Sequence, residues 1–303
     1  MQTIENILVG LDFTDSDISL LRYVKAVNKV LKPKKIVFVN VHSSISLPDE
    51  ILTQFPDLLE TIDNKYIEEL INEITPLNLY GAETECLALN GNPLEEILTI
   101  IKKEQTDLLI VGKKKEHNHV HLAHRKLIRK APCHLLVVPD NSKPKFDKIV
   151  SATDFSENSK MALSYAELIA HRTKGKLICE HIYEVPLGFH KTGKSYTDFA
   201  RIMRAHAEHA FESFLPKLNF EVEFDAHFTL NDSSDVGETL IQVAKDLDAD
   251  LVVTGAKGKS GWESVLMGSV TESLSEHDHS VPLLIIKEKN HSFSFWKDFY
   301  GLG

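Results

Sequence analysis

The sequence predicts an α/β protein made of two tandem copies of one doubly wound unit, each a five-stranded parallel sheet flanked by helices. The first observation behind this is an internal repeat. "NILVGLDFTDSDISLLRYVKAV" from Asn6 resembles "KIVSATDFSENSKMALSYAELIA" from Lys148, which sets Ile7, Leu8, Asp12, Phe13 and Thr14 opposite Ile149, Val150, Asp154, Phe155 and Ser156. "KKIVFVNVH" at Lys34 resembles "GKLICEHIY" at Gly175, "TDLLIVGKKK" at Thr106 resembles "ADLVVTGAKG" at Ala249, and "CHLLVVP" at Cys133 resembles "VPLLIIK" at Val281. The second observation is that short apolar runs alternate with stretches of helical periodicity. The third is that the runs are apolar along most of their length, as strands covered by helices on both faces must be.

The elements follow in order. Ile18, Leu21, Val24, Val27 and Leu31 keep helical spacing after the first strand, and Ala162, Tyr165, Ala166 and Ile169 do so in the second copy. Thr14 and Ser156 stand at the helix starts as capping residues. The second copy's strands are expected near residues 148–153, 176–183, 221–230, 250–254 and 282–287. Strand, helix, strand, helix makes each copy a Rossmann-like unit, with the strand order 3-2-1-4-5. "DNSKPKF", Asp140 to Phe146, is polar and reads as the linker. The expected domains are residues 1–141 and 142–290, followed by an aromatic tail over 291–303.

Composition narrows the function. Of 303 residues, 43% are apolar and 26% charged, with a formal net charge of −10. That balance argues against nucleic-acid binding, which needs excess Lys and Arg. The three cysteines, Cys86, Cys133 and Cys179, are far apart and lie in apolar strand-like runs, so buried inert thiols are expected. The N-terminus has no signal-peptide pattern and no run is long enough to span a membrane, which makes a cytoplasmic protein the expectation.

In open α/β sheets a ligand lies beyond the carboxyl ends of the strands where the order reverses, here between strands 1 and 4. In the second copy strand 1 ends at Asp154, and strand 4 runs into "GAKGKSGWESVLMGSVTESL". Gly255 and Gly258 let the backbone approach an anion, Gly268 and Ser269 precede a helix start suited to phosphate, and Lys257 and Lys259 add charge. Gly255, Gly258, Gly268 and Ser269 form G-x-x-G, nine residues, G-S, which resembles the nucleotide signature of the universal stress proteins. The resemblance covers nearly the whole chain as two tandem copies and includes "ATDFSENS", "GNPLEEIL" and "APCHLLVVP". It implies ATP in the second copy, with Ala152, Thr153 and Asp154 at the base or ribose and the backbone near Ile182 at adenine. It places Gly255, Gly258, Gly268, Ser269, Val270 and Thr271 around ribose and phosphates. It also implies an internal pseudo-dimer joined through the fifth strands.

The first copy departs from the signature. Lys115 stands where the second glycine should be, and His121 and Leu122 replace the Gly-Ser pair. Side chains would fill the phosphate space, so this copy is expected not to bind ATP in that manner.

Other motifs compete. "GFHKTGKS", Gly188 to Ser195, matches the phosphate-loop pattern between a strand and a helix. It follows strand 2 of its copy, and the first copy has no trace of it. The bland reading is a glycine turn with Ser195 or Thr197 at a helix start; another makes Lys191, Lys194 and Ser195 a lid over the crevice. His117, His119, His121 and His124 alternate as a zinc site on an extended segment would, although the neighbouring "KKK" repels cations and a solvated loop is the simpler reading. His206 and His209 read as surface residues, and His277 and His279 as a weaker metal pair. The aromatic tail is expected to dock on its own protein.

No nucleophile–base pair emerges, and Asp154, placed to orient water or magnesium, is not by itself a mechanism. The leading expectation is therefore a nucleotide-binding stress-response module holding one ATP or other adenine nucleotide, whose surface a protein partner reads. The alternatives are a slow ATP hydrolase using the same crevice, and a nucleotide-free partner-binding scaffold. Pairing of two chains into a homodimer is left open.

Overall fold

A computed structural model describes residues 3–42, 53–55, 58–113, 126–127, 129–218, 220–233, 235–256, 273–274 and 280–288. The first repeat contributes β1 (Asn6–Leu11), α1 (Asp15–Leu31), β2 (Lys35–His42), α2 (Leu58–Ile74), β3 (Glu83–Asn90), α3 (Pro93–Lys103), β4 (Leu108–Lys113) and β5 (His134–Pro139). The second contributes β6 (Lys148–Ala152), α4 (Glu157–Thr173), β7 (Lys176–Tyr183), α5 (Tyr196–Phe214), β8 (Phe224–Leu230), α6 (Val236–Asp246), β9 (Leu251–Gly255) and β10 (Leu283–Ile286).

The strands form one 10-stranded sheet in the order β3-β2-β1-β4-β5-β10-β9-β6-β7-β8. Each half has the expected 3-2-1-4-5 order and is parallel throughout, and the halves meet where β10 runs antiparallel to β5, with Leu284 opposite Leu136. The two fifth strands are thus the seam between repeats. Alternation along them feeds two cores. Leu136, Leu284 and Ile286 join the layer of Val24, Tyr23, Tyr165 and Ile169 on one face. Leu135, Val137, Leu283 and Ile285 join Ile97, Ile101, Leu240 and Ile241 on the other.

The repeats share polar devices as well as apolar ones. Asp107, before β4, accepts from the amides of Glu5 and Asn6, both at 2.8 Å. Asp250, its mate before β9, accepts from Asp147 and Lys148 at 2.9 and 3.0 Å. Asn40 on β2 donates to the Leu11 carbonyl at 3.0 Å. Its mate His181 reaches the Thr153 carbonyl at 2.8 Å. In each half, a side chain of strand 2 therefore ties down the last turn of strand 1.

Several local expectations change. Ser156 caps α4, its hydroxyl accepting from Ser159 N at 3.2 Å. Thr14 occupies the matching position but does not cap α1. Its hydroxyl donates to Asp12 Oδ1 at 2.7 Å, and Asp17 accepts the amides of Asp12 and Phe13 instead. The expected linker ends inside the core: Phe146 is buried and packs edge-on against Tyr23, ring centroids 5.4 Å apart. The third strand of the second repeat starts at Phe224, later than 221, because residues 221–223 lie before its pairing with β7 begins at Leu177. Cys133 is buried just ahead of β5, outside the strand. No helix among the described residues is long and apolar enough to cross a membrane.

Candidate functional site

The site lies at the carboxyl ends of β6 and β9, which pair side by side at the point where the strand order of the second repeat reverses. β6 ends at Ala152, and Thr153 adds one further rung, its amide donating to the Glu180 carbonyl at 2.8 Å. The Thr153 hydroxyl donates to Ser159 Oγ at 3.1 Å and accepts from Phe155 N at 3.1 Å. Because the Thr153 carbonyl can only accept, His181 carries its proton on Nδ1. The chain then turns sharply: Phe155 takes a left-handed conformation at φ 63, held by stacking on His181 with ring centroids 4.3 Å apart. Asp154 sits in that turn with Oδ1 accepting from Ser156 N at 3.1 Å, which fixes the carboxylate over the start of α4.

β9 ends at Gly255. A β-carbon there would stand 2.9 Å from the Asn158 carbonyl oxygen and 3.0 Å from its carbon, so only glycine lets the first turn of α4 press against the β9 tip. The mate of this residue, Gly112, would meet nothing closer than Leu20 Cδ2 at 3.7 Å. Ala152, Thr153, Asp154 and Gly255 therefore come together, and Ile182 lies one strand away, half-buried in the same layer as Ala152. Lys257, Gly258, Gly268, Ser269, Val270 and Thr271 lie outside the described residues. Beyond them, the Ser273 hydroxyl donates to Asp235 Oδ1, the carboxylate that also caps α6 by accepting from Gly237 N at 2.7 Å.

Two residues at this end of the sheet were not expected. Glu180 on β7 lies opposite Ala152 of β6 and opposite His227 of β8. It is 1% exposed, and neither carboxylate oxygen makes a hydrogen bond of ordinary length and angle among the described residues, although the amide and hydroxyl of Thr229 favour its charged form. His227 Nδ1 is 3.8 Å from Oε2, beyond hydrogen-bond reach. Burial pushes the carboxyl up from its ordinary value, and nearby Thr229 offsets this only in part. The signal in the sequence was a glutamate inside the apolar run "KLICEHIY".

The first repeat builds a different strand tip. Asp17, buried, stands where the second repeat has Ser159, and its Oδ2 accepts from Asp12 N at 2.9 Å and Phe13 N at 2.7 Å. Burial, and then the charge of Asp12, push its carboxyl up to about 6. Lys113 follows Gly112 and is buried.

The stretch "GFHKTGKS" forms a one-turn 3-10 helix, Phe189–Thr192, between Gly188 and Gly193, both left-handed at φ 85 and 74. Its amides close on the loop itself: Lys191 N donates to Gly188 O at 3.0 Å and Gly193 N to His190 O at 3.2 Å. Ser195 caps α5, accepting from Asp198 N at 3.1 Å and donating to the Asp198 carboxylate at 2.7 Å. The acidic residue at that helix start and the committed amides describe a capped turn. His206 and His209 are exposed on α5. His117, His119, His121, His124, His277, His279 and the tail from 291 lie outside the described residues, and no group of His, Cys, Asp or Glu able to hold a metal occurs among the described ones.

The repeat and the paired five-stranded halves have a counterpart among known proteins. The model of the universal stress protein family matches residues 3–139 and, a second time, 145–287. The chain belongs to the universal stress protein family. It does so as two tandem copies. A universal stress protein of Methanocaldococcus jannaschii is 26% identical over 159 residues, covering 48% of this chain and 97% of that protein. A second from the same organism is 27% identical over 150 residues, covering 49% of this chain and 86% of that protein. Along the full length, the crystal structure of a universal stress protein from Archaeoglobus fulgidus superposes with a TM-score of 0.62 at 16% identity, covering 96% of this chain and 98% of that one. A functionally unknown protein from Pseudomonas aeruginosa gives 0.62 at 18% identity, with 94% and 93% covered. These full-length likenesses share the fold with this universal stress protein chain.

Proposed function

We propose that the chain binds one adenine nucleotide, ATP or a close relative, in the crevice of its second universal stress protein domain. On this reading it works in the cytoplasm as a nucleotide-dependent regulatory module, with domains over 1–141 and 142–290 followed by an aromatic tail over 291–303. The observation that carries this is the asymmetry of the two strand-4 tips. Gly255 is pressed against the Asn158 backbone at the switch point and opens the complete G-x-x-G, nine residues, G-S signature. Gly112 has room for a side chain and is followed by Lys113, Lys114 and Lys115.

Ala152, Thr153 and Asp154 would hold the base and ribose, the backbone near Ile182 would meet the base, and Gly255, Lys257, Gly258, Gly268, Ser269, Val270 and Thr271 would surround the phosphates. Backbone amides at a helix start and lysine charge suit that anion. Bound nucleotide would stabilise the folded domain by linkage and so bias the surface a partner reads.

The test is the nucleotide content of the purified protein beside a Gly268→Val variant. A single adenine nucleotide per chain, lost in the variant, is expected. Protein that neither retains nor takes up added nucleotide would leave the partner-binding scaffold as the function. Nucleotide kept by the variant would move the site to Lys194 and Ser195.

A further inference from the structure

We infer that the aromatic segment of residues 291–303 docks in an apolar groove of the first repeat, between the end of α2 and the edge strand β3. The inference stands apart from the nucleotide reading above.

The groove has a volume of about 350 Å³, and its lining includes Ile67, Ile71, Ile74, Leu79, Thr84 and Cys86. It opens to solvent: Ile71 is 46% exposed, and Thr84 is exposed as well. β3 beside it is an outer strand of the sheet, and an uncovered edge is a template for another stretch of chain.

The second repeat shows what this space accommodates. In both repeats the helix runs into a 3-10 turn with proline in the middle, Thr75–Leu77 after α2 and Leu215–Lys217 after α5. Counting from the two prolines, Ile71, Ile74 and Tyr80 are the mates of Phe211, Phe214 and Phe220. Thr84 is the mate of Phe224, because they pair with Ile36 and Leu177, which pair in turn with the mates Ile7 and Ile149. Four phenylalanine rings thus fill the position in the second repeat. Phe224 lies 6.2 Å from Phe211 and 5.9 Å from Phe220 between ring centroids, and Phe214 is buried. The first repeat has two isoleucines and a threonine there, and Tyr80 stands 86% exposed. The groove is therefore the imprint of aromatic rings that the first repeat does not itself supply.

The chain carries such rings within reach. Phe293, Phe295, Trp296, Phe299 and Tyr300 follow Glu288, which is exposed beyond the end of β10. β10 runs antiparallel to β5, so it ends at the level where the strands of the first repeat begin. The groove lies at that level too. The Lys287 amide bonds to His134 of β5, and one register row runs from His134 through Leu108, Ile7 and Ile36 to Thr84. Along this row β10 and β3 are five strand steps apart, which at the usual strand spacing is about 24 Å. Residues 289–303 reach up to about 50 Å when extended. Rings laid against Ile71 and Ile74 take apolar surface of both partners out of water.

The experiment is the rate of maleimide modification of Cys86 in the folded full chain, read peptide by peptide by mass spectrometry. Cys86 lines the groove and is half-buried, while Cys133 and Cys179 are buried. The comparison is a full-length variant carrying Phe293→Ser, Phe295→Ser, Trp296→Ser and Phe299→Ser. It is expected to react about tenfold faster or more, since a docked segment must leave before the thiol is reached. A second measurement approaches from the groove side. Trp262 and Trp296 are the two tryptophans, so Trp262→Phe leaves Trp296 as the reporter. Adding Ile71→Asp, at an exposed position, is expected to shift its emission to that of a solvated indole. Equal Cys86 rates in the two proteins would overturn the inference, as would Trp296 emission indifferent to Ile71→Asp. Protection of Cys86 that is lost on dilution would put the segment of a second copy in the groove and overturn docking within one chain.

Discussion

His134 Nε2 of the first repeat lies 3.0 Å from the Tyr165 hydroxyl of the second, across the seam between the two halves. The Lys287 amide donates to His134 Nδ1 at 3.1 Å, so the ring is the Nε2–H tautomer and donates to Tyr165. The mate of Tyr165 is Tyr23, fully buried, whose hydroxyl has no hydrogen-bond partner among the described residues. The reason is in the repeat: Pro282 stands where the first copy has His134.

This asymmetry predicts opposite outcomes for the same change. Tyr165→Phe removes the oxygen that the buried His134 ring N–H bonds across the seam and is expected to destabilise by about 1–3 kcal/mol. Tyr23→Phe removes an orphaned hydroxyl and is expected to be neutral or mildly stabilising. Urea unfolding of the two variants side by side decides it. An equal loss in both would mean the bond across the seam contributes nothing.

Asp17 predicts a pH dependence. Its folded carboxyl sits at about 6 against an ordinary 3.8, raised by burial and by Asp12. Between these values the folded state binds more protons than the unfolded chain, so this group's contribution favours folding at low pH and is lost as pH rises toward 6. Asp17→Asn keeps an oxygen for the Asp12 and Phe13 amides without the charge. It is expected to be more stable than wild type at pH 7 by about 1–3 kcal/mol, and the gap should close below pH 4. Melting curves across pH 3.5–7.5 measure it, and a gap that does not vary with pH would refute the assignment.

The two strand-4 glycines should tolerate a methyl group differently. Gly255→Ala drives a β-carbon into the Asn158 backbone and is expected to cost about 1–3 kcal/mol, with a matching loss of nucleotide affinity. Gly112→Ala meets only Leu20 at 3.7 Å and is expected to change stability by less than about 0.5 kcal/mol. Thermal shifts with and without added ATP compare them.

Arg172 joins the halves at the surface. Its Nη1 donates to the Val30 and Leu31 carbonyls at 2.7 and 3.2 Å, at the end of α1. Charge at a helix carboxyl end is favourable but screened, so Arg172→Ala is expected to cost only about 0.5–1 kcal/mol, and less in high salt. A salt series of denaturation midpoints reads this.

The fold was legible because it is written twice. Apolar runs bounded by helical periodicity located every strand of the second half, and the reversal point followed from the strand order. Sequence pattern could not rank polar groups by their surroundings. Thr14 and Ser156 look alike as caps, yet the Thr14 hydroxyl turns to Asp12 while Asp17 binds the two amides ahead of it. Glu180 sat inside an apolar run, where the repeat drew attention to the strand and away from the exception. "GFHKTGKS" satisfied a pattern, but only the structure tells whether its amides face outward or close on each other. The residues around 257–271, where the signature is richest, lie outside the described part of the chain.

The antiparallel meeting of β5 and β10 turns what could be an encounter between two molecules into an event within one. Its strength does not follow mass action on the protein: dilution that would separate two half-length chains leaves this pair together, because a short linker holds the partners at an effective concentration of about millimolar. Any response to a ligand in one half is therefore delivered to the other at a fixed stoichiometry, however scarce the protein becomes. Cutting the chain between Asp140 and Lys145 would restore the dependence on concentration.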